Sequence, residues 1–165
     1  MTEQKNILEY KDYLLRLKNI GLINKNKELD YWGNYPIKYP YLRPLYTIFK
    51  SGFKFLDLGS GAGQVLKFAS NIGYEVTGVE FDKKLVSLHS STIFKDIREI
   101  DFSFYKDFDV IYSYKPIKND DEFKLYLETV ASSMKLSSYL LIPDTIMDSN
   151  YLTRVLPHLY KIKNK

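Results

Sequence analysis

The sequence predicts an α/β protein organised around a doubly wound, mostly parallel β-sheet. Three features between residues 53 and 82 support this prediction: a short apolar run, a glycine-rich loop that opens a helical pattern, and a second apolar run that ends in a carboxylate. Short, dense apolar runs bounded by glycine are typical of strands that are buried on both faces of a parallel sheet. The two runs and the helix between them therefore form a β-α-β unit.

The glycine loop follows the first predicted strand, residues 53–58. Gly59, Gly61 and Gly63 alternate with small residues, Ser60 among them. The backbone can therefore adopt positive φ angles and approach a ligand without a Cβ atom in between. The helix that follows would present free backbone N–H groups to that ligand at its N-terminus.

Hydrophobic spacing predicts this helix and a second strand after it. Apolar residues recur at helical spacing up to Gly73, a residue suited to the C-terminal cap. The residues at this spacing are Val65, Leu66, Ala69 and Ile72. The second strand, residues 74–79, delivers Glu80 to its carboxyl end, where a carboxylate can accept hydrogen bonds from ribose hydroxyls.

The glycine spacing separates two classes of cofactor. A dinucleotide fingerprint, G-x-G-x-x-G, requires glycine at position 64, where this sequence has Gln64. The spacing here is G-x-G-x-G, and Asp57 stands two residues before its first glycine. Two alternatives stay open on the residues alone: a nicotinamide-binding enzyme and a purely structural glycine turn.

The acidic residue, one spacer and G-x-G-x-G resemble the first motif of the class I, Rossmann-like S-adenosylmethionine-dependent methyltransferases. The resemblance implies S-adenosyl-L-methionine as the cofactor and S-adenosyl-L-homocysteine as its product. In that family the glycine loop wraps the methionine and ribose portions, and an acidic residue that ends the second strand binds the ribose hydroxyls. The cofactor-binding residues implied here are Asp57, Gly59, Ser60, Gly61, Gly63, Glu80 and Phe81.

A third strand, T-I-F at residues 92–94, follows a short helical pattern, K-K-L-V-S-L-H-S-S. Beyond this strand, the resemblance implies that Asp96 accepts a hydrogen bond from the adenine amino group and that Ile97 packs against the ring. The alternative is that Asp96 caps the turn I-R-E-I-D-F that follows it.

The fourth predicted strand, residues 108–112, leads into S-Y-K-P-I. Open α/β sheets bind their ligands at the carboxyl ends of the strands, so the residues after this strand are predicted to face the substrate. These residues are Ser113, Tyr114, Lys115 and Pro116. They depart from the D/N-P-P-Y/F motif of enzymes that methylate amino groups of bases, which disfavours DNA adenine or cytosine-N4 methylation.

Methyl transfer from a sulfonium needs alignment and exclusion of water more than dedicated catalytic side chains. An amine acceptor must also lose a proton, and Tyr112, Tyr114 and Asp144 are candidates for that step by position only. Resemblance to small protein lysine methyltransferases favours protein lysine as the acceptor, with RNA and small metabolites as alternatives. The rival function is a cofactor-binding regulator or assembly partner without transferase activity.

Residues 1–50 are predicted to form an N-terminal helical extension. Its first helix is indicated by apolar residues at helical spacing, which are Ile7, Tyr10, Leu14 and Leu17. Trp32 lies in an irregular stretch, residues 24–41, that either closes over a substrate or packs on the body of the protein. A second helix, residues 41–50, carries Arg43, which the resemblance makes a candidate for binding the cofactor's carboxylate.

The C-terminal part contains one long helix, capped by Asn119 or Asp120, and a fifth strand, residues 139–142. The inward stripe of this helix is predicted to be Phe123, Leu127, Val130 and Met134. A short helix around residues 149–155 and an extended piece near residues 158–162 are expected after the fifth strand. The predicted sheet thus has five to six strands, a C-terminally shortened form of the methyltransferase fold.

The composition, with 45% hydrophobic and 27% charged residues, is that of a globular protein. A chain of 165 residues has room for one sizeable core, so residues 51–165 are predicted to form one Rossmann-like domain that makes a single compact unit with the extension. The absence of cysteine excludes disulfides, thiolate zinc sites and a cysteine nucleophile, and no metal site is predicted.

The sequence predicts a cytoplasmic protein without a membrane partner. No apolar run approaches the ~20 residues that span a bilayer, and the N-terminus, M-T-E-Q-K-N, is too polar for a signal peptide. Residues 1–50 carry nine basic against five acidic side chains, and residues 154–165 carry four against none. Basic ends can contact nucleic acid, but a solvated surface is the favoured interpretation. The sequence leaves the oligomeric state open.

Overall fold

The computed structural model of the protein describes residues 1–23, 34 and 36–163. These residues build one sheet whose strands are β1 (Lys54–Leu58), β2 (Glu75–Glu80), β3 (Thr92–Phe94), β4 (Val110–Tyr112), β5 (Tyr139–Leu141), β6 (Leu152–Leu156) and β7 (Leu159–Ile162). The seven strands lie side by side in the order β3-β2-β1-β4-β5-β7-β6. Strands β1 to β5 are parallel, and β7 runs antiparallel to both of its neighbours.

Five α-helices accompany the sheet in this part of the chain: α1 (Glu3–Asn19), α2 (Pro44–Ile48), α3 (Gln64–Ile72), α4 (Lys83–Val86) and α5 (Asp120–Ser133). Short 3₁₀ turns occupy Tyr39–Leu42, Ile97–Glu99 and Phe102–Asp107. None of the described helices is both long enough and apolar enough to span a membrane.

Alternate residues of β1 point to opposite faces of the sheet and so belong to two cores. Phe55 packs with apolar side chains of α1, α2 and α3 on one face. Leu56 and Leu58 pack with α5 and the Phe102–Asp107 turn on the other face. Because α3 follows β1 and α5 follows β4, the chain leaves these neighbouring strands toward opposite faces. This divergence opens a crevice at the carboxyl ends of the strands.

The predicted α/β class and the five parallel strands are confirmed. Helix α3 begins at Gln64, and Gly73 caps it, as the glycine spacing predicts. The predicted inward stripe of α5 is buried. Asn119 rather than Asp120 caps this helix, because the Asn119 side chain accepts the N–H of Glu122 at 2.9 Å.

The C-terminal prediction is wrong in two respects. Residues 149–155 do not form a short helix, since β6 occupies most of this stretch, and the sheet has seven strands instead of five to six. Strand β6 is the edge of the sheet, so within it Leu152 alone is buried and the usual hydrophobic alternation is missing. The turn to β7 is tight because His158 adopts a φ of 65°. The C-terminal hairpin that the sequence predicted to be shortened is therefore present.

Asn6 ties the N-terminal helix to the body of the protein. Its side chain is fully buried between α1 and α3. The amide nitrogen donates to the carbonyl of Phe68 at 3.0 Å and to the hydroxyl of Tyr46 at 2.9 Å. The amide oxygen accepts a hydrogen bond from Asn71 at 2.9 Å. A buried amide that is satisfied from three directions fixes how α1 lies on α3.

We expect Asn6→Ala to lower the free energy of unfolding by about 1 to 3 kcal/mol, because it leaves buried partners without hydrogen bonds. Urea denaturation followed by circular dichroism measures this change. Asn150→Ala is the matched control, since Asn150 is exposed, and we expect it to stay within about 0.5 kcal/mol of the parent protein. Equal stability of both variants would contradict the role assigned to Asn6.

Candidate functional site

A cavity of about 240 Å³ opens at the carboxyl ends of the central strands. One water molecule occupies about 30 Å³ of the liquid, so the cavity has room for an organic ligand. The predicted residues that line it are Asp57, Gly59, Ser60, Gly61, Glu80, Phe81, Asp96, Ile97, Tyr112, Tyr114, Lys115, Pro116 and Asp144. Further lining residues, which the sequence did not single out as site residues, are Asn34, Ile37, Gln64, Val65, Val79, Arg98 and Ile117.

The loop between β1 and α3 requires glycine where it touches other segments. Gly59 and Gly61 have φ angles of 82° and 55°, in the left-handed region that favours glycine. A Cβ atom at Gly59 would lie 2.7 Å from the Cβ of Pro116, and one at Gly61 would overlap the side-chain oxygen of Asn34. The loop is therefore held between the end of β4 and the N-terminal segment.

Glu80 fixes the glycine loop from the end of β2. One carboxylate oxygen accepts the backbone N–H of Gly61 at 2.8 Å, and the other accepts those of Phe81 and Asp82 at 2.9 and 3.0 Å. Burial raises the pKa of Glu80, and these three N–H donors act in the opposite direction. A carboxylate offers about four lone-pair positions, so one stays available to a ligand.

Asp57 faces the same cavity without any such support. The residue is 1% exposed, and within the described part of the chain neither carboxylate oxygen has a hydrogen-bond partner. Burial, and then the charge of Glu80, raise the pKa of Asp57 well above its usual range. Burying an ionised carboxylate without a partner costs roughly several kcal/mol of desolvation free energy, and a cationic or hydrogen-bonding ligand would offset this cost. The buried oxygens of Ser60 and Gln64 are also without partners here.

Asn34 is a site residue that sequence reasoning missed. Its side-chain oxygen accepts the N–H of Ala62 at 3.1 Å, and its nitrogen donates to the carbonyl of Leu22 at 2.8 Å. The hydroxyl of Tyr13 holds the carbonyl of Ala62 at 2.7 Å. The N-terminal segment thus clamps both polar backbone groups of one loop residue. No local signal identifies Asn34, because it acts on a loop that is far away in the sequence.

Asp96 caps the turn that follows it, as one of the two sequence interpretations holds. Its carboxylate accepts the backbone N–H of Arg98 at 2.9 Å and pairs with the Arg98 guanidinium at 2.9 Å. Hydrogen bonding to that guanidinium lowers the pKa of Asp96. Asp96, Ile97 and Arg98 all line the cavity, so the cap does not remove them from the site. The proposed adenine contact of Asp96 and Ile97 stays a prediction.

The ends of β4 and β5 form the opposite side of the cavity. Tyr112 is buried, and burial followed by the charge of Asp57 raises the pKa of its hydroxyl. Asp144, which follows β5, is exposed and accepts hydrogen bonds from the hydroxyls of Tyr41 at 2.8 Å and Tyr114 at 3.3 Å. This side of the cavity therefore combines phenol groups with an accessible carboxylate.

Some predicted site residues lie elsewhere. Gly63 caps α3, and the Ser113 hydroxyl is buried and donates to a carbonyl of β1 at 3.0 Å. Arg43 has a side chain that is 64% exposed, pairs with Glu3 at 3.0 Å and lines a second, open cleft. The structure therefore does not bring Arg43 to the cavity with the glycine loop. Trp32 lies outside the described residues.

Solved structures of similar fold include the plantazolicin methyltransferase BpumL in complex with SAH, at 23% identity and a TM-score of 0.50, over 64% of this chain and 48% of that chain. An S-adenosylmethionine-dependent methyltransferase from Clostridium acetobutylicum ATCC 824 matches at 15% identity and a TM-score of 0.50, over 64% of this chain and 50% of that one. The chain thus spans about half the length of these proteins. No family model matches the sequence, and neither does any curated protein. The chain shares the Rossmann-like α/β fold of these methyltransferases, which is the fold class that the sequence predicts.

We expect Asp57→Asn to raise the free energy of unfolding at pH 7, because it removes an unpaired buried charge. The pKa of Asp57 is higher in the folded than in the unfolded protein, so the folded state holds the extra proton and the parent loses stability as pH rises above the unfolded value. The advantage of the variant should therefore shrink as pH falls toward 4.

Urea denaturation at a series of pH values tests this expectation. Asp148→Asn makes the same substitution at an exposed carboxylate and serves as the control. A variant at position 57 that is less stable than the parent at pH 7 would show that Asp57 has a stabilising partner in the free protein.

Proposed function

We propose that this protein is a methyltransferase that uses S-adenosyl-L-methionine and releases S-adenosyl-L-homocysteine. The observation that carries the proposal is the buried, unpaired carboxylate of Asp57 beside the glycine loop and Glu80. These groups line one cavity of a sheet that has the methyltransferase fold. The structure of BpumL in complex with SAH supports the same choice of ligand.

The residues present fit this cofactor. S-adenosyl-L-methionine, when bound, supplies a methyl group on an electrophilic sulfonium. Asp57 is an unneutralised acid that suits a cationic ligand, and Glu80 keeps one acceptor position for a hydroxyl donor. The left-handed loop around Gly61 brings backbone close to the cavity without a Cβ atom in the way.

The protein's own contribution is to orient two reactants and to exclude water. Tyr112, Tyr114 and Asp144 stand at the side of the cavity where an acceptor would enter, and they remain the candidates for removing a proton. The resemblance to small protein lysine methyltransferases favours protein lysine as the acceptor, with RNA and small metabolites as alternatives. The alternative of a cofactor-binding protein without transferase activity was supported in part by a shortened C-terminal hairpin. Because the hairpin is present, that support is removed.

The first test is ligand preference. We expect isothermal titration to show saturable binding of S-adenosyl-L-methionine and S-adenosyl-L-homocysteine and no binding of NAD, because Gln64 stands where a dinucleotide loop needs glycine. Tight binding of NAD without binding of either sulfur compound would refute the proposed cofactor.

The second test concerns Glu80. We expect Glu80→Gln to weaken S-adenosyl-L-homocysteine binding by about 1 to 3 kcal/mol, because the amide loses charge-assisted hydrogen bonds to the loop and to the ligand. Glu75→Gln, on the exposed start of the same strand, should bind like the parent. Unfolding curves of both variants show whether the affinity change reflects the site. Unchanged affinity of a folded Glu80→Gln variant would place the ribose elsewhere.

A further inference from the structure

The carboxylate of Asp144 is held in a fixed orientation but still has free acceptor positions. Tyr41 donates to one oxygen at 2.8 Å, and Tyr114 donates to the other at 3.3 Å. The bond to Asp144 raises the pKa of the Tyr41 hydroxyl, so this group keeps its proton and continues to donate. With about four lone-pair positions on a carboxylate, each oxygen can still accept a hydrogen bond from a ligand.

The backbone at this position is also fixed. Asp144 has a φ of 55°, a conformation that costs energy for residues other than glycine, although aspartate tolerates it better than most. Its N–H donates to Nδ1 of His158 at 3.2 Å, and the His158 ring makes an edge contact with Tyr41 at 5.0 Å between centroids. Contacts from three segments of the chain therefore fix the position of the Asp144 carboxylate. These segments contain Tyr41, Tyr114 and His158.

Among the described residues, Asp144 has no positively charged partner. Within residues 1–23, 34 and 36–163, no lysine, arginine or histidine side chain forms an ion pair with it. By contrast, Asp96 pairs with Arg98 at 2.9 Å. Lys115, at the same end of the cavity, lies 3.5 Å from Asp120. The cavity thus offers an unneutralised carboxylate to an incoming cation.

The rest of the cavity reinforces this preference. Among the described residues, four acidic side chains line it, those of Asp57, Glu80, Asp96 and Asp144, against the two cationic side chains of Arg98 and Lys115. Walls with an excess of one charge raise the local concentration of the opposite ion.

We propose that Asp144 binds the methyl acceptor and that this acceptor is an alkylamine, recognised as its ammonium cation by the carboxylate that Tyr41 and Tyr114 hold in place. This inference rests on the proposed methyltransferase function and adds its substrate class. The ammonium gives one proton to the Asp144 carboxylate, which passes it to water because the side chain is exposed. The nitrogen lone pair then forms the bond to the methyl carbon, the carbon–sulfur bond breaks, and its electron pair stays on sulfur.

Binding of an amine probe tests the proposal without turnover. The protein is saturated with S-adenosyl-L-homocysteine, and n-butylammonium chloride is titrated while amide shifts are followed by NMR. We expect saturable shifts around residues 114 and 144, and we expect 1-butanol, which has the same chain without the charge, to bind at least about tenfold more weakly.

Two variants remove the carboxylate in different ways. Asp144→Asn keeps the size and shape of the side chain but removes its charge. Asp144→Gly removes the side chain and suits the positive φ, so it provides a second test if the first variant folds poorly. We expect both to weaken butylammonium binding about tenfold or more, with the affinity for S-adenosyl-L-homocysteine unchanged within about twofold. Asp148→Asn, a change of the same charge on the same loop and outside the cavity, should bind the amine like the parent.

The outcomes separate this inference from the proposed function. Binding of S-adenosyl-L-homocysteine together with amine binding that depends on Asp144 supports both. Three outcomes would overturn the inference alone while S-adenosyl-L-homocysteine still binds. The amine does not bind saturably, the parent and the Asp144 variants bind it equally, or butanol binds as tightly as the amine. Failure of S-adenosyl-L-homocysteine itself to bind overturns both.

Discussion

The burial of two carboxylates beside a glycine loop is the constraint on which the rest of this structure depends. Glu80 is stable there because three backbone N–H groups surround it, and one of them belongs to the loop. That bond sets the path of the loop, which in turn sets the start of α3 and the space left for Asn34. Asp57, the second carboxylate, receives no such donors from the described residues, so an acid without hydrogen-bond partners lines the cavity.

Much of the fold could be predicted because its signals are local. Strand β1, the glycine loop, α3 and β2 follow one another directly, and each carries its own hydrophobic spacing or glycine signature. Strand β6 could not be predicted from local signals of this kind. It lies at the sheet edge, where one side chain out of five is buried, so the pattern that marks a strand is absent. Its place is decided by pairing with β7, which is a tertiary contact.

The residues of the candidate site also differ in whether a local sequence signal could predict them. Residues at or shortly after the carboxyl end of a strand, such as Glu80, Asp96 and Asp144, could be named because the carboxyl ends of parallel strands meet at one edge of the sheet. Asn34 and Tyr41 could not be placed, since their hydrogen bonds to Ala62 and Asp144 join residues that are far apart in the sequence. Arg43 illustrates the converse: its position in the chain suggested a contact, but its side chain points to a different cleft.

Two acids that line the cavity, Asp57 and Asp144, differ in burial, and this difference suits different tasks. Asp57 is almost fully excluded from water, so a ligand that neutralises it regains a large desolvation cost and is held firmly. Asp144 is exposed, so an ion pair there competes with water and is weaker than a pair formed in the buried part of the cavity. A cofactor must be held in one place through the reaction, whereas an acceptor must arrive, lose a proton and leave. Under the proposed function, this difference in burial suits the Asp57 part of the cavity to the cofactor and the Asp144 part to the acceptor.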